Sequence, residues 1–169
     1  MFQTSNPQFP SDLDGLISPC ISQVEKEEIA RIPTGDENRS AVYEMNPLKA
    51  PGPDGMPGLF FRHYWGFMGS QLVEAVQSFF REGWMLKELN QTYITPIPKV
   101  QGACNFAQVR PISLCNFSYK VITKILVARL KPLLHKLIDL AQVAFIPDRN
   151  ITENVVLAQE VVHCFKHTN

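Results

Sequence analysis

Apolar residues in this 169-residue chain recur at helical spacing in most segments and switch to a strand-like pattern in one, and that switch sets the expected architecture. Ser22 with Glu25 fits a capping box before VEKEEIARI, and Asp36 is expected to cap a second short helix, ENRSAVYEM, whose Ala41, Val42 and Met45 share a face. After an aromatic stretch, PGLFFRHYWGFM, the clearest amphipathic helix opens at Ser70. Its Leu72, Val73, Val76, Phe79 and Phe80 lie on one side, and Gly83 ends it. From Gln91 the pattern becomes short and β-prone: QTYITPIPK, a loop VQGACNFAQ, then the extended VRPISL. Pro96 and Pro98 lack amide donors and confine the first piece to an edge, so a two-stranded ribbon is predicted. Helical spacing returns in SYKVITKILVARLKPLLHKLI, with Val121, Ile122, Ile125, Leu126 and Leu130 inward and a break near Pro132. It recurs from Thr152 through Phe165. Residues 1–24 carry no period and read as a loosely ordered lead-in. The predicted class is α+β, mostly helical, with one short two-stranded β-ribbon.

Composition narrows this picture. No stretch approaches the roughly 18 uncharged apolar residues of a membrane span, so no membrane partner is expected. The start, MFQTSNPQFP, has neither a basic nor an apolar leader region, and an intracellular address, nucleus or cytoplasm, follows as an expectation. Cys20, Cys104, Cys115 and Cys164 stand far apart and are expected to be reduced thiols. Four Asn-x-Ser/Thr tripeptides, beginning at Asn38, Asn90, Asn116 and Asn150, read as coincidence without secretion.

The zero net charge conceals an asymmetry. Residues 1–48 hold three Lys/Arg against eight Asp/Glu, a net of −5, while residues 91–140 hold seven against one, a net of +6. Lys99, Arg110, Lys120, Lys124 and Lys131 fall in the basic stretch, with Asp139 its only acid. Such a field favours phosphate. On one helix, Lys120, Lys124 and Lys131 lie within about 40° of one another. A solvated helix face is the plainer account of the same charges.

Three further clusters are weaker. Pro51, Gly52, Pro53, Asp54 and Gly55 could offer backbone amides to phosphate, but two prolines remove donors and no Gly-Lys-Ser/Thr follows; a rigid turn between helices is the better account. His163 and His167 have i, i+4 spacing without the intervening Glu of a zinc motif, and Asp12 with Asp14 lacks a third ligand. No metal site is assigned.

The order of motifs, however, resembles the reverse transcriptase of LINE-type (non-LTR) retrotransposons, in the form common in plant genomes. The residues that carry the resemblance are MNPLKAPGPDG (45–55), FFRHYW (60–65), ITPIPK (94–99), RPISLCN (110–116), YKVITKILVARLK (119–131) and QVAFIPDRNITEN (142–154). It runs from about Glu25 to the last residue. It implies an incomplete domain over residues 25–169, the fingers and start of the palm of a right-hand polymerase, with RNA or DNA template-primer and dNTP as partners. By motif position Lys99 and Arg110 would contact the triphosphate of an incoming nucleotide. Gln142, Phe145 and Arg149 would lie near template and primer, and the Lys120, Lys124 and Lys131 face beside a nucleic-acid backbone.

Two departures matter. The family usually reads Pro-Gly-Arg where this chain has Pro147-Asp148-Arg149, which puts a carboxylate in place of a permissive glycine. The metal-binding aspartate blocks of the palm are not matched by Asp12, Asp14, Asp36, Asp54, Asp139 or Asp148. No catalytic residue is therefore assigned, and Mg²⁺ is expected only for a complete family enzyme, with a downstream palm segment as a possible completing partner. The expected capability is weak nucleotide or nucleic-acid binding by a catalytically inactive chain. The alternatives are a small helical scaffold for protein partners and a non-functional truncated product with uncovered apolar faces.

Overall fold

The computed structural model describes residues 20–144 and 146–167. The expectations for residues 1–19, Asp12 and Asp14 included, for Phe145 and for the side chain of His167 lie outside the described residues. The chain divides into two compact units: Glu27–Pro132, and the N-terminal residues through Lys26 together with Leu133–Asn169.

The larger unit is built on four helices and a ribbon. Following the helix α1 (Gln23–Ala30), which straddles the division, come α2 (Gly35–Glu44), α3 (Gly58–His63), α4 (Trp65–Glu82), strands β1 (Thr92–Pro98) and β2 (Val109–Cys115), and α5 (Phe117–Leu130). Ala41 and Val42 of α2, Phe61 of α3, Leu72 and Val76 of α4, and Phe117, Val121, Ile122 and Ile125 of α5 form one buried cluster. Each fully buried aliphatic side chain contributes about 1.5–3 kcal/mol. Leu126 packs at the margin of this core, but Leu130, expected inward, is 36% exposed, because α5 gives way to a short 3-10 turn at Lys131–Leu133.

Local chemistry explains the element boundaries. Ser22 and Glu25 form the expected capping box: the Ser22 amide donates to Glu25 Oε2 at 2.8 Å and the Glu25 amide to Ser22 Oγ at 3.3 Å. Thr34, not Asp36, caps α2, its hydroxyl accepting from the Glu37 amide at 3.1 Å, so Asp36 and Glu37 stand in the first turn where the helix dipole favours acids. α4 begins five residues before Ser70. Gly69, which reads as a breaker, is instead buried under the Trp65 ring, where a Cβ would stand 2.9 Å from a ring carbon. Gly83 ends α4 in the left-handed region at φ 72°, donating to the Phe79 carbonyl at 2.9 Å.

The ribbon is antiparallel, with Thr92 opposite Cys115, Ile97 opposite Arg110 and Pro98 opposite Val109. The Lys99 amide donates to the Gln108 carbonyl at 2.8 Å, so that pair and the pairs two residues further in, Ile97 with Arg110 and Thr95 with Ile112, are the hydrogen-bonded ones. Pro96, Pro98 and Pro111 occupy the alternate positions, where an amide would point away from the partner strand. The ladder loses nothing, and both outer edges are blunted against a third strand.

In the smaller unit, α6 (Leu134–Leu137) and α7 (Ile151–His167) flank a turn-rich segment. Ile151, Val155, Val156, Leu157, Val161, Val162 and Phe165 of α7 are all exposed. Lys136 Nζ pairs with Glu25, and this ammonium, joined by the amide and hydroxyl of Ser22, holds the Glu25 carboxyl down to about 2. Because the folded value lies below the ordinary one, the tie is fully present above the usual carboxylate range and is lost as pH falls towards 2. Protection of the amides at residues 22–26 and 134–138, measured relative to intrinsic exchange, should fall between pH 4.5 and 2 in the native chain, and by clearly less in Lys136→Met, where only the Ser22 bonds to the carboxylate remain.

Candidate nucleotide-binding ribbon and its root

Side chains alternate along a strand, so the register decides which cations meet. Arg110 faces Ile97, and Lys99 extends the same hydrogen-bonded series, which puts Lys99, Ile97 and Arg110 on one face. Lys99 and Arg110 then stand diagonally across the ribbon, about 7–8 Å apart at the backbone. Both are exposed, and Lys99 Nζ donates one bond to the Ala107 carbonyl at 2.9 Å, leaving two ammonium protons. Tyr93, Ile97 and Ile112 supply exposed apolar surface on that face. A depression of about 240 Å³ at the ribbon tip, lined by Pro96, Cys104, Phe106 and Val109 among others, opens on the opposite face.

Folding uses up much of the charge that the sequence sets apart. In the larger unit Arg129 pairs with Glu37 at 2.9 Å and Lys124 with Glu44 at 3.0 Å; in the smaller, Lys136 pairs with Glu25. Lys120 Nζ donates to the Ala50 carbonyl at 2.8 Å. Lys120 and Lys124, placed by sequence on an outward face, are thus directed onto the 50–55 turn and the end of α2, and only Lys131 of that trio is exposed without an acidic partner among the described residues. Lys99 and Arg110 likewise have no acidic partner among the described residues.

The Gly-Pro-Asp-Gly stretch is a β-turn. The Gly55 amide donates to the Gly52 carbonyl at 3.0 Å, Pro53 takes the position its fixed φ suits, Gly55 has φ 69°, and Asp54 Oδ1 accepts from the Met56 amide at 3.1 Å. Its glycine at 52 answers a contact that sequence does not reveal: a Cβ there would lie 2.4 Å from the Asn116 nitrogen and the Cys115 carbonyl carbon. The turn is pressed against the exit of β2. Asn116, 3% exposed, accepts from the Asp54 amide at 3.1 Å through Oδ1 and donates through Nδ2 to the Glu88 and Leu89 carbonyls at 3.0 and 3.2 Å. A polar residue between a strand and an apolar helix reads as an N-cap, and Asn116 does occupy that position, but its side chain makes no cap bond because these partners hold it.

Arg149 and Gln142 also work locally. Arg149 donates to the Ile138 carbonyl at 3.0 Å, to the Gln142 carbonyl at 2.6 Å and to that of Asp139, while Gln142 Nε2 donates to the Ala144 carbonyl at 3.2 Å. Asp148 has φ 61°. Asp tolerates that region better than most residues. Asp148→Asn and Asp148→Gly should therefore be close to neutral, the easier backbone of glycine being offset by its freer unfolded chain, whereas Asp148→Val should cost about 1–2 kcal/mol. Amide exchange through residues 138–150 would register the loss.

The described aspartates do not fit a two-metal polymerase centre. Asp54 and Asp139 accept from amides in their own turns, Asp36 stands in the first turn of α2, and no three His, Cys, Asp or Glu side chains gather among the described residues. Nor is any helix among those residues long and apolar enough to cross a membrane.

No family model matches the chain. Over 155 residues, 92% of its length, it is 30% identical to the "Transposon TX1 uncharacterized 149 kDa protein" of Xenopus laevis. The chain is similar to a transposon-encoded protein. It spans 12% of that relative's length.

Proposed function

We propose that this chain is the fingers and the start of the palm of a LINE-type reverse transcriptase, and that its own contribution is to grip the triphosphate of a nucleotide through Lys99 and Arg110. The observation that carries this is the placement of the two cations on one face of a projecting ribbon, without acidic partners among the described residues, in a chain similar along 92% of its length to a transposon-encoded protein. A compact ammonium and a planar guanidinium are complementary ligands for adjacent phosphates. Template and primer would be met through phosphates as well, with Lys131, in the turn that follows α5, as the outward cation. The described carboxylates do not fit the metal centre that polymerisation requires.

Titration of the purified chain with a dNTP, followed by fluorescence or calorimetry, tests the grip. Lys99→Ala with Arg110→Ala should weaken binding at least about a hundredfold, each charge-assisted contact being worth about 1.5–3 kcal/mol. Affinity should also fall steeply with added salt. Equal affinity in the double variant would remove both residues from the site. Salt-independent binding of a protein partner by the same chain would favour the scaffold alternative.

A further inference from the structure

The ribbon that carries Lys99 and Arg110 rests on very little. Every residue of β1 is exposed, and β2 is half-buried only at Val109, Leu114 and Cys115. Its attitude towards the helical core of the larger unit is decided at its root, where Leu86–Asn90 leads into β1 and Asn116 follows β2.

We propose that Asn116, seated on Gly52, is the positioning residue that sets the pitch of the ribbon and so places the two cations; this rests on the assignment of Lys99 and Arg110 made above. One side chain ties three segments. Oδ1 takes the amide of Asp54 in the Gly-Pro-Asp-Gly turn, and Nδ2 holds the carbonyls of Glu88 and Leu89 just before β1, while the backbone of Asn116 is itself the exit from β2. Both amide donors and the acceptor are engaged, so the buried group is satisfied only when entry strand, exit strand and turn are all in register. Gly52 supplies the seat, since its missing Cβ is what lets the turn reach the 115–116 backbone. Lys120, reaching the Ala50 carbonyl from α5, holds the same turn from the other side. The rigid KAPGPDG stretch thus has a purpose beyond joining two helices: it is the fixed jaw against which the ribbon root is clasped.

Asn116→Asp is close to isosteric and keeps the acceptor for Asp54 while losing both donors to residues 88 and 89; Gly52→Ala forces the turn away from the same joint. The measurement is the distance distribution between nitroxides carried on ketone-bearing residues at Val100 near the ribbon tip and Glu74 on α4, both exposed, which leaves the four cysteines alone. The native chain should give one narrow distribution, and each variant a broad or shifted one, with the cross-strand amides of β1 and β2 still protected from exchange. Nucleotide affinity should fall about ten- to a hundredfold in step with the broadening. Native-like distributions in both variants would overturn the proposal, as would failure of both to fold, which would make the joint a plain core contact. If the native chain binds no dNTP, the assignment of Lys99 and Arg110 fails, and the distance distributions alone decide whether Asn116 sets the pitch.

Discussion

Arg129→Ala should lower the unfolding free energy of the chain by about 3–5 kcal/mol, the range for removing one partner of a buried ion pair. Its side chain is 6% exposed, and nearly every donor is used: Nε and Nη2 meet the two Glu37 oxygens at 2.9 Å, and Nη1 reaches the carbonyls of Ile29, at 2.9 Å, and of Arg31. The guanidinium also lies over the Phe80 ring at 5.0 Å from its centroid. One residue near the end of α5 thus fastens the end of α1, the 31–34 connection and the first turn of α2. Lysine should not rescue it, because a single ammonium cannot reproduce the fork. Burial pushes the Glu37 carboxyl up, but the Arg129 bonds and the charges of Arg129 and Arg31 outweigh it and hold the group below its ordinary value. Its contribution is therefore present above the usual carboxylate range and declines as pH falls through the lowered value. In the alanine variant that acid dependence should flatten. Urea denaturation followed by the fluorescence of Trp65 and Trp84, both in the larger unit, would read the shift; a loss under 1 kcal/mol would show that the network is not a stabilising one.

Phe117→Ala should cost a comparable amount, about 3–5 kcal/mol. Phe117 opens α5, is 4% exposed and stacks on Phe61 with ring centroids 4.6 Å apart and planes 16° from parallel. A Cβ on Gly58 would stand 2.8 Å from the Phe117 ring, so the ring fills the space against the start of α3 and its removal leaves a cavity there. Phe117→Leu, which keeps most of the volume, should lose clearly less. Equal losses for Ala and Leu would place the effect in the aromatic stack rather than in the cavity.

Periodicity served where one face of an element is buried by its own neighbours in sequence. It found α2, α4, α5, the ribbon and the final helix, as well as the capping box at Ser22 and the stop at Gly83. It misplaced the cap of α2 because Thr34 and Asp36 are both good caps and only the path of the chain chooses between them. It begins α4 too late because Ser70 reads as a helix start, whereas the chain is already helical from Trp65, whose ring packs over Gly69. Lys99 and Arg110 are nameable from motif order, yet their shared face depends on a register that no spacing in the ten-residue connection between β1 and β2 reveals. The tying roles of Asn116, Arg129 and Arg62 are not legible in the sequence. Their polar side chains are valuable for carbonyls distant in sequence, as when Arg62 closes the end of α2 by donating to Val42, Tyr43 and Met45.

By itself the amino-acid order determined both strands and the helices other than α3, together with the stiffness of the Gly-Pro-Asp-Gly turn, since these follow from local torsional preference and the period of apolar residues, and it carries the uneven spread of charge directly. Tertiary structure alone decided where that charge goes. Acids of residues 25–44 meet bases of residues 124–136 within each unit, cancelling much of the field that the linear sequence advertises, and the ribbon cations remain unneutralised because no acid of the described chain is folded against them. The difference is one of range: backbone preferences act over a few residues, whereas ion pairs and buried amides act over a few ångströms, whatever the separation along the chain.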